Sequence, residues 1–242
     1  MERTATAMLP GPDIIQECPY CQAHARMCTL DSGNTFGSKV WSDGYAYSPQ
    51  LPPAVVVTRC NRCRGIYWME DAPVVGEVPR TTFTHVETTV KRRWWFGTRT
   101  DIKRTFTESP LKKLPLLTHL DVKGLREALA QLPPDQDPFR QRYLRGHLWW
   151  RFNDHYRQEP VKPPTKTEIA LNQQNLATLI GLYDPQDPPA KFKCAAMLIG
   201  LERYGDAKAI AEMVEEEMWA PIRMKFIEAA EQRTCGIFRI EG

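Results

Sequence analysis

The sequence predicts an α+β protein, β-rich in its N-terminal half and α-helical in its C-terminal half. Three observations predict it. Two Cys-x-x-Cys knuckles, Cys18 to Cys21 and Cys60 to Cys63, stand within the first third of 242 residues. Runs of β-branched and aromatic residues flank the second knuckle and continue to Phe106. From Leu117 onward, apolar residues recur at spacings of three and four behind capping residues.

Composition bounds the rest. A hydrophobic content of 42% is enough for a packed core, and 32 basic against 29 acidic side chains leave a formal charge of only +3. No global field therefore draws the chain to nucleic acid or membrane, so an electrostatic partner has to be read from local clusters. Four of seven cysteines lie in knuckles and Cys28, Cys194 and Cys235 are scattered, a usage that fits a reducing compartment better than a disulfide framework. With no signal-peptide pattern at Met1 to Pro10 and no membrane-length apolar run, the expectation is a cytoplasmic protein with no membrane partner.

Met1 to Gln16 reads as a loose arm carrying Pro10, Gly11 and Pro12. After the first knuckle come the turn signals Asp31-Ser32-Gly33-Asn34 and Asp43-Gly44, so Thr29 to Ser48 is expected to be loops around short strands. Val55 to Thr58 enters the second knuckle as a strand, and Ile66-Tyr67-Trp68 leaves it as another. Thr81 to Val90 has strand character, and Lys91 to Phe106 is expected to be a hairpin turning near Gly97. Asp121 can cap a helix to Leu132, and a second helix is expected from Pro138 to Phe152. Arg157 to Thr165, with Pro160, Pro163 and Pro164, reads as a linker. Thr167 is then the expected cap of a helix to Gly181, followed by helices over Ala190 to Leu201, Asp206 to Met218 and Pro221 to Gln232. Four short helices in series form stacking hairpins. The expected division is a ribbon with a long inter-knuckle loop over 1–79, a basic and aromatic β-extension over 80–116, a helical connector over 117–156, and a helical domain over 166–242.

The chemistry sits at the cysteines. Cys18, Cys21, Cys60 and Cys63 offer four thiolates, and a closed structural zinc site uses four protein ligands in a tetrahedron. The expected cofactor is one structural Zn²⁺ per chain in a zinc ribbon. Arg59, Arg62 and Arg64 can offset the negative charge of a four-thiolate centre. His24 and Cys28 are spaced to be alternative ligands, but the four knuckle thiols already close the shell. The knuckles are separated by residues 22 to 59, 38 positions. That exceeds the roughly 15 to 20 of a compact site, so a folded excursion pinned at both ends is expected, with Asn34 to Tyr47 as a candidate recognition surface.

Two resemblances add to this reading. Leu201-Glu202-Arg203-Tyr204-Gly205-Asp206-Ala207 resembles the helix-turn-helix corner of tetratricopeptide repeats, with Glu202 where glycine is usual, which implies close packing of the two helices. Cys18-Pro19-Tyr20-Cys21, Asn34-Thr35-Phe36-Gly37, Trp41-Ser42-Asp43-Gly44, Leu51-Pro52, Cys60 to Cys63 and Leu148 to Asp154 together resemble uncharacterised bacterial proteins. These join a zinc ribbon to a helical, tetratricopeptide-like C-terminal half. The resemblance implies architecture and no substrate.

A second constellation interleaves cations with aromatics: Lys91, Arg92, Arg93, Trp94, Trp95, Arg99, Lys103 and Arg104. Such a stretch can track phosphates while rings stack on bases, and the alternative is an amphipathic hairpin whose cations form its solvated face. Trp149 and Trp150 read as the anchor of the second helix and Asn153-Asp154 as its C-terminal turn, while a catalytic pairing of His147 or His155 with Asp154 lacks a nucleophile or a phosphate-cradling loop. The expectation is a non-catalytic adaptor that binds a protein partner around a structural Zn(Cys)4 site, with nucleic-acid binding through Lys91 to Arg104 and the knuckle arginines as the rival.

Overall fold

The computed structural model describes residues 9–78, 84–94, 97–107, 110–133, 137–157, 164–184 and 186–241. Its strands in chain order are β1 (Leu9–Pro10), β2 (Asp13–Glu17), β3 (His24–Met27), β4 (Leu30–Ser32), β5 (Lys39–Trp41), β6 (Ala46–Tyr47), β7 (Val57–Arg59), β8 (Ile66–Trp68), β9 (Val74–Val78), β10 (Thr84–Trp94), β11 (Gly97–Thr107) and β12 (Arg239–Glu241). Its helices are α1 (Val122–Gln131), α2 (Pro138–Arg157), α3 (Lys166–Ile180), α4 (Pro188–Gly200), α5 (Tyr204–Glu212) and α6 (Ala220–Glu231). The class is α+β, with N-terminal sheets and C-terminal helices. The chain forms two compact units, one of residues 1–34 and 53–119, the other of 35–52 and 120–242.

In the first unit, β2 is the middle of an antiparallel sheet ordered β3-β2-β9, and β7 pairs with β8. Ile15 is 2% exposed and fills the space under that sheet. Asp13 is equally buried but carries a charge, and the Arg26 guanidinium answers it at 2.8 Å while also donating to the Leu114 carbonyl at 3.1 Å. A buried carboxylate needs such a partner, because its desolvation is otherwise uncompensated. Thr58 is fully buried in β7 and its hydroxyl donates to the Thr118 carbonyl at 2.8 Å, tying the second knuckle's entry strand to the end of the unit.

Thr84 to Trp94 is one uninterrupted eleven-residue arm paired with an equally long β11. The separate strand expected before Lys91 and the first arm of the expected hairpin are therefore the same element. High β-propensity runs unbroken through Thr88-Thr89-Val90, and nothing there ends a strand.

The second unit is built on α4. Its Ala190, Phe192, Cys194, Ala195, Ala196, Met197, Leu198 and Ile199 are all buried, the pattern of a helix that is apolar all round. Phe192 stacks on Phe226 at 5.3 Å, and Phe226 meets Phe238 edge-on at 5.1 Å. Fully buried Ala207 and Ala211 keep the α5 surface small where it packs in this core. Asp187 caps α4 with Pro188 and Pro189 in its first turn, so the prolines that read as a breaker start the helix instead. Glu202, at the turn between α4 and α5, has φ +61°, the left-handed region that favours glycine.

The boundaries of α2 and α3, among others, differ from the sequence expectation. α2 runs on to Arg157, five residues past Phe152, and residues 158–163 of the expected linker lie outside the described residues. α3 is capped by Thr165, not Thr167, through a capping box in which Thr165 Oγ1 accepts from the Glu168 amide and the Glu168 carboxylate accepts from the Thr165 amide at 2.7 Å.

The largest difference concerns the excursion between the knuckles. Its stretch from Thr35 to Pro52 belongs to the helical unit. There β5 pairs with β6 and with the C-terminal strand β12, in the order β12-β5-β6. It is therefore not a loop pinned only at the two knuckles. The reason is a cluster of buried polar groups. Asp43 is 1% exposed; its Oδ1 accepts from the Tyr45 amide at 3.1 Å, and its Oδ2 accepts from Asn153 Nδ2 at 2.9 Å and from the guanidinium of Arg157. That guanidinium also lies 4.3 Å from the Tyr45 ring centroid and 5.5 Å from that of Trp41. The Trp150 indole N–H donates to the Asp43 carbonyl at 3.0 Å, and the Phe238 amide to Ser42 Oγ at 3.1 Å.

Candidate metal centre

The two knuckles share one backbone design. In the first, the Cys18 amide donates to the Ala23 carbonyl at 2.9 Å and the Gln22 amide to the Cys18 carbonyl at 2.9 Å. In the second, the Cys60 amide donates to the Gly65 carbonyl at 2.9 Å and the Arg64 amide to the Cys60 carbonyl at 3.1 Å. Each turn closes on a residue of positive φ directly after its second cysteine, Gln22 at +58° and Arg64 at +66°. This repeated strain of non-glycine residues turns two thiols per knuckle inward. Tyr20 braces the pair: its hydroxyl donates to the Ile66 carbonyl at 3.0 Å, and its ring lies where a Cβ on Gly65 would come within 2.6 Å.

The four sulfurs of Cys18, Cys21, Cys60 and Cys63 all lie within 4.8 Å of one another. Cys18 Sγ is 3.8 Å from Cys63 Sγ, and Cys21 Sγ is 3.6 Å from Cys60 Sγ. A tetrahedral ion bonded to four sulfurs at about 2.3 Å requires edges of about 3.8 Å, so the donor set fits such an ion. These cysteines can hold a metal ion. Burial pushes the Cys18 thiol up to about 12. Burial also opposes charge on Cys60, but backbone N–H groups of Cys63 and Arg62 stabilise its thiolate and bring it down to about 6. Tyr67, buried against the cluster, is raised to about 12 by desolvation and by the neighbouring thiolates.

His24 and Cys28 do not join the group: His24 Nε2 sits 3.3 Å from Glu17 Oε2, and Cys28 is exposed. Arg59 donates to the Arg64 carbonyl at 3.1 Å, a brace across the second knuckle. His147 stacks between Tyr143 and Trp150 at 4.1 and 4.6 Å, and Asp154 is held by Arg151 and Arg157.

No protein family, curated protein or solved structure matches the chain. What can be said of the basic stretch therefore comes from its register. Arg92 stands opposite Arg99, Thr88 opposite Lys103, Glu87 opposite Arg104, Lys91 opposite Thr100, and Arg93 opposite Thr98. Trp95 lies outside the described residues.

Sequence alone gives Asp43 as a turn residue, and its part as the buried ion partner of Arg157 appears only in the fold. The signal was weak: the partners are more than a hundred residues apart, and Arg157 opens the proline-rich stretch. Among the described residues no helix is long and apolar enough to cross a membrane.

Proposed function

We propose that this chain is a non-catalytic, zinc-binding interaction protein. Zn²⁺ held by Cys18, Cys21, Cys60 and Cys63 fixes the first unit as a zinc ribbon, and the segment Thr35 to Pro52 of the second unit binds a protein partner. Zinc is the ion favoured by an all-thiolate tetrahedral set, and four protein ligands leave no coordination position for a substrate. The observation that carries the binding role is a display of apolar side chains on an anchored base. Phe36 is 67% exposed, Tyr47 48% and Leu51 45%, while Asp43 of the same segment is buried and ion-paired. Exposed rings on a fixed support bind with little ordering cost.

Both parts are testable. Purified protein is expected to carry about one zinc per chain by elemental analysis, with Cys60→Ser losing the metal; full-length protein folded without metal refutes the zinc assignment. Crosslinking capture from the source cell should recover a partner that Phe36→Ser with Tyr47→Ser releases, and an unchanged capture profile refutes the role of these rings.

Nucleic-acid binding is the second reading, favoured by the register of the ribbon. Arg92 directly opposite Arg99 is a like-charge pair that destabilises a hairpin unless an anion neutralises it. Mobility shift at two salt concentrations should show salt-sensitive binding that Arg92→Ala with Arg99→Ala weakens. Absence of a shift at low salt removes this reading.

A further inference from the structure

A cleft of about 300 Å³ lies on the helical unit between α1, α2 and α3. Arg126 and Arg145 line it, and neither makes an ion pair or hydrogen bond through its side chain to any described residue, while no acidic residue lines it. Arg145 is half-buried and its Nε is sealed from solvent without an acceptor. Desolvation lowers its pKa, the direction expected of a guanidinium whose charge nothing nearby offsets. Elsewhere in this unit a sequestered arginine is answered: Arg157 has the Asp43 carboxylate. The cleft thus holds cationic donors with nothing to bind.

It also holds one unmet acceptor. Asn175 is 3% exposed; its Nδ2 donates to the Arg145 carbonyl at 3.0 Å, which fixes the amide's orientation and leaves Oδ1 buried with no donor. A simple anion would satisfy the arginines and repel this oxygen. A group that is both anionic and a hydrogen-bond donor satisfies both, and hydrogen phosphate is such a group, with oxyanion oxygens and one P–OH. Leu129, Leu148 and Leu171 line the same cleft, and such apolar walls strengthen the polar contacts made inside it.

We propose that this cleft binds hydrogen phosphate, with Arg126 and Arg145 on its oxyanion oxygens and Asn175 Oδ1 accepting from its P–OH. Sulfate has the shape and charge but no proton to give, so the two anions separate the proposal from general anion attraction.

The experiment is calorimetric titration of the full chain with sodium phosphate and with sodium sulfate, near pH 8 and at constant ionic strength. Saturable 1:1 phosphate binding is expected, with sulfate weaker by at least about tenfold. Arg145→Met should weaken phosphate by a similar factor, and so should Arg126→Met, whose exposed position keeps the fold intact. Asn175→Leu removes both the acceptor for the P–OH and the oxygen that repels sulfate, so phosphate should weaken, sulfate should tighten, and the two should bind alike. Phenyl phosphate tells free phosphate from a phosphomonoester: at about pH 8 the ester is a dianion without a P–OH. Binding of the ester no better than sulfate supports the assignment, and binding tighter than phosphate overturns it. Absence of saturable phosphate binding, equal affinity for sulfate, or wild-type affinity in Arg126→Met with Arg145→Met also overturns it.

Discussion

At the scale of single residues, Asp43 controls more of this molecule than any other buried charge described. Its side chain is fully buried and that of Arg157 is 6% exposed, so neither can turn to water when the other is removed. Breaking such a pair from one side costs about 3–5 kcal/mol, because the survivor stays desolvated and unpaired. Asp43→Ala should therefore lower the unfolding free energy of the helical unit by about that much in urea denaturation. Replacing Arg157 as well should cost less than the sum of the two single changes. At the knuckles the chemistry was legible residue by residue, because Cys-x-x-Cys is a local pattern whose spacing alone sets the geometry. Asp43 was not, since a turn aspartate and a buried ion partner look the same until the distant Asn153 and Arg157 are brought to it.

At the scale of elements, the helices were legible where a cap and a periodic face agreed. Asp121 accepts from the Gly124 amide at 2.7 Å and starts α1 as expected. For α3 two threonines compete, and the glutamate three residues on decides between them: Glu168 completes a box with Thr165 and leaves Thr167 inside the helix. Thr165→Ala should cost about 1 kcal/mol, and Thr167→Ala much less, both read from thermal unfolding. Pairing of β5 with β12 was not legible. Three-residue strands carry little alternation, and no sequence rule joins Trp41 to Arg239. α5 stops at Glu212, six residues short of the expected end; the next stretch places Val214 in the core while Glu215, Glu216 and Glu217 stay exposed.

At the scale of the whole molecule, the α+β class and the order of sheets and helices follow from patterns confined to short windows. The discontinuous makeup of both units does not, because it depends on which distant segments bury each other. The four clustered cysteines that can hold a metal lie in one unit. If the proposed zinc is bound there, chelation should lower the unfolding midpoint of the first unit, followed by Tyr67 and Trp68 as local probes, and leave the helical unit's transition in place. The pH dependence has a definite sign. Metal uptake must expel the proton of Cys18, whose thiol burial holds at about 12, so binding should release protons and its apparent affinity should rise with pH.

The pairing of Trp41 with Arg239 also sets a timetable for synthesis. A ribosome adding about 5–20 residues per second needs on the order of 10–40 s to travel from one to the other. The first unit ends at His119 and can be completed well before then. Throughout that interval the Thr35 to Pro52 segment waits outside the ribosome as an unmatched strand tethered to a finished neighbour, with Phe36, Tyr47 and Leu51 in the open. Such an edge invites pairing with other chains. The step most exposed to aggregation in this protein's production is thus the arrival of β12, and deleting Arg239 to Glu241 should move expressed protein from the supernatant to the pellet on centrifugation.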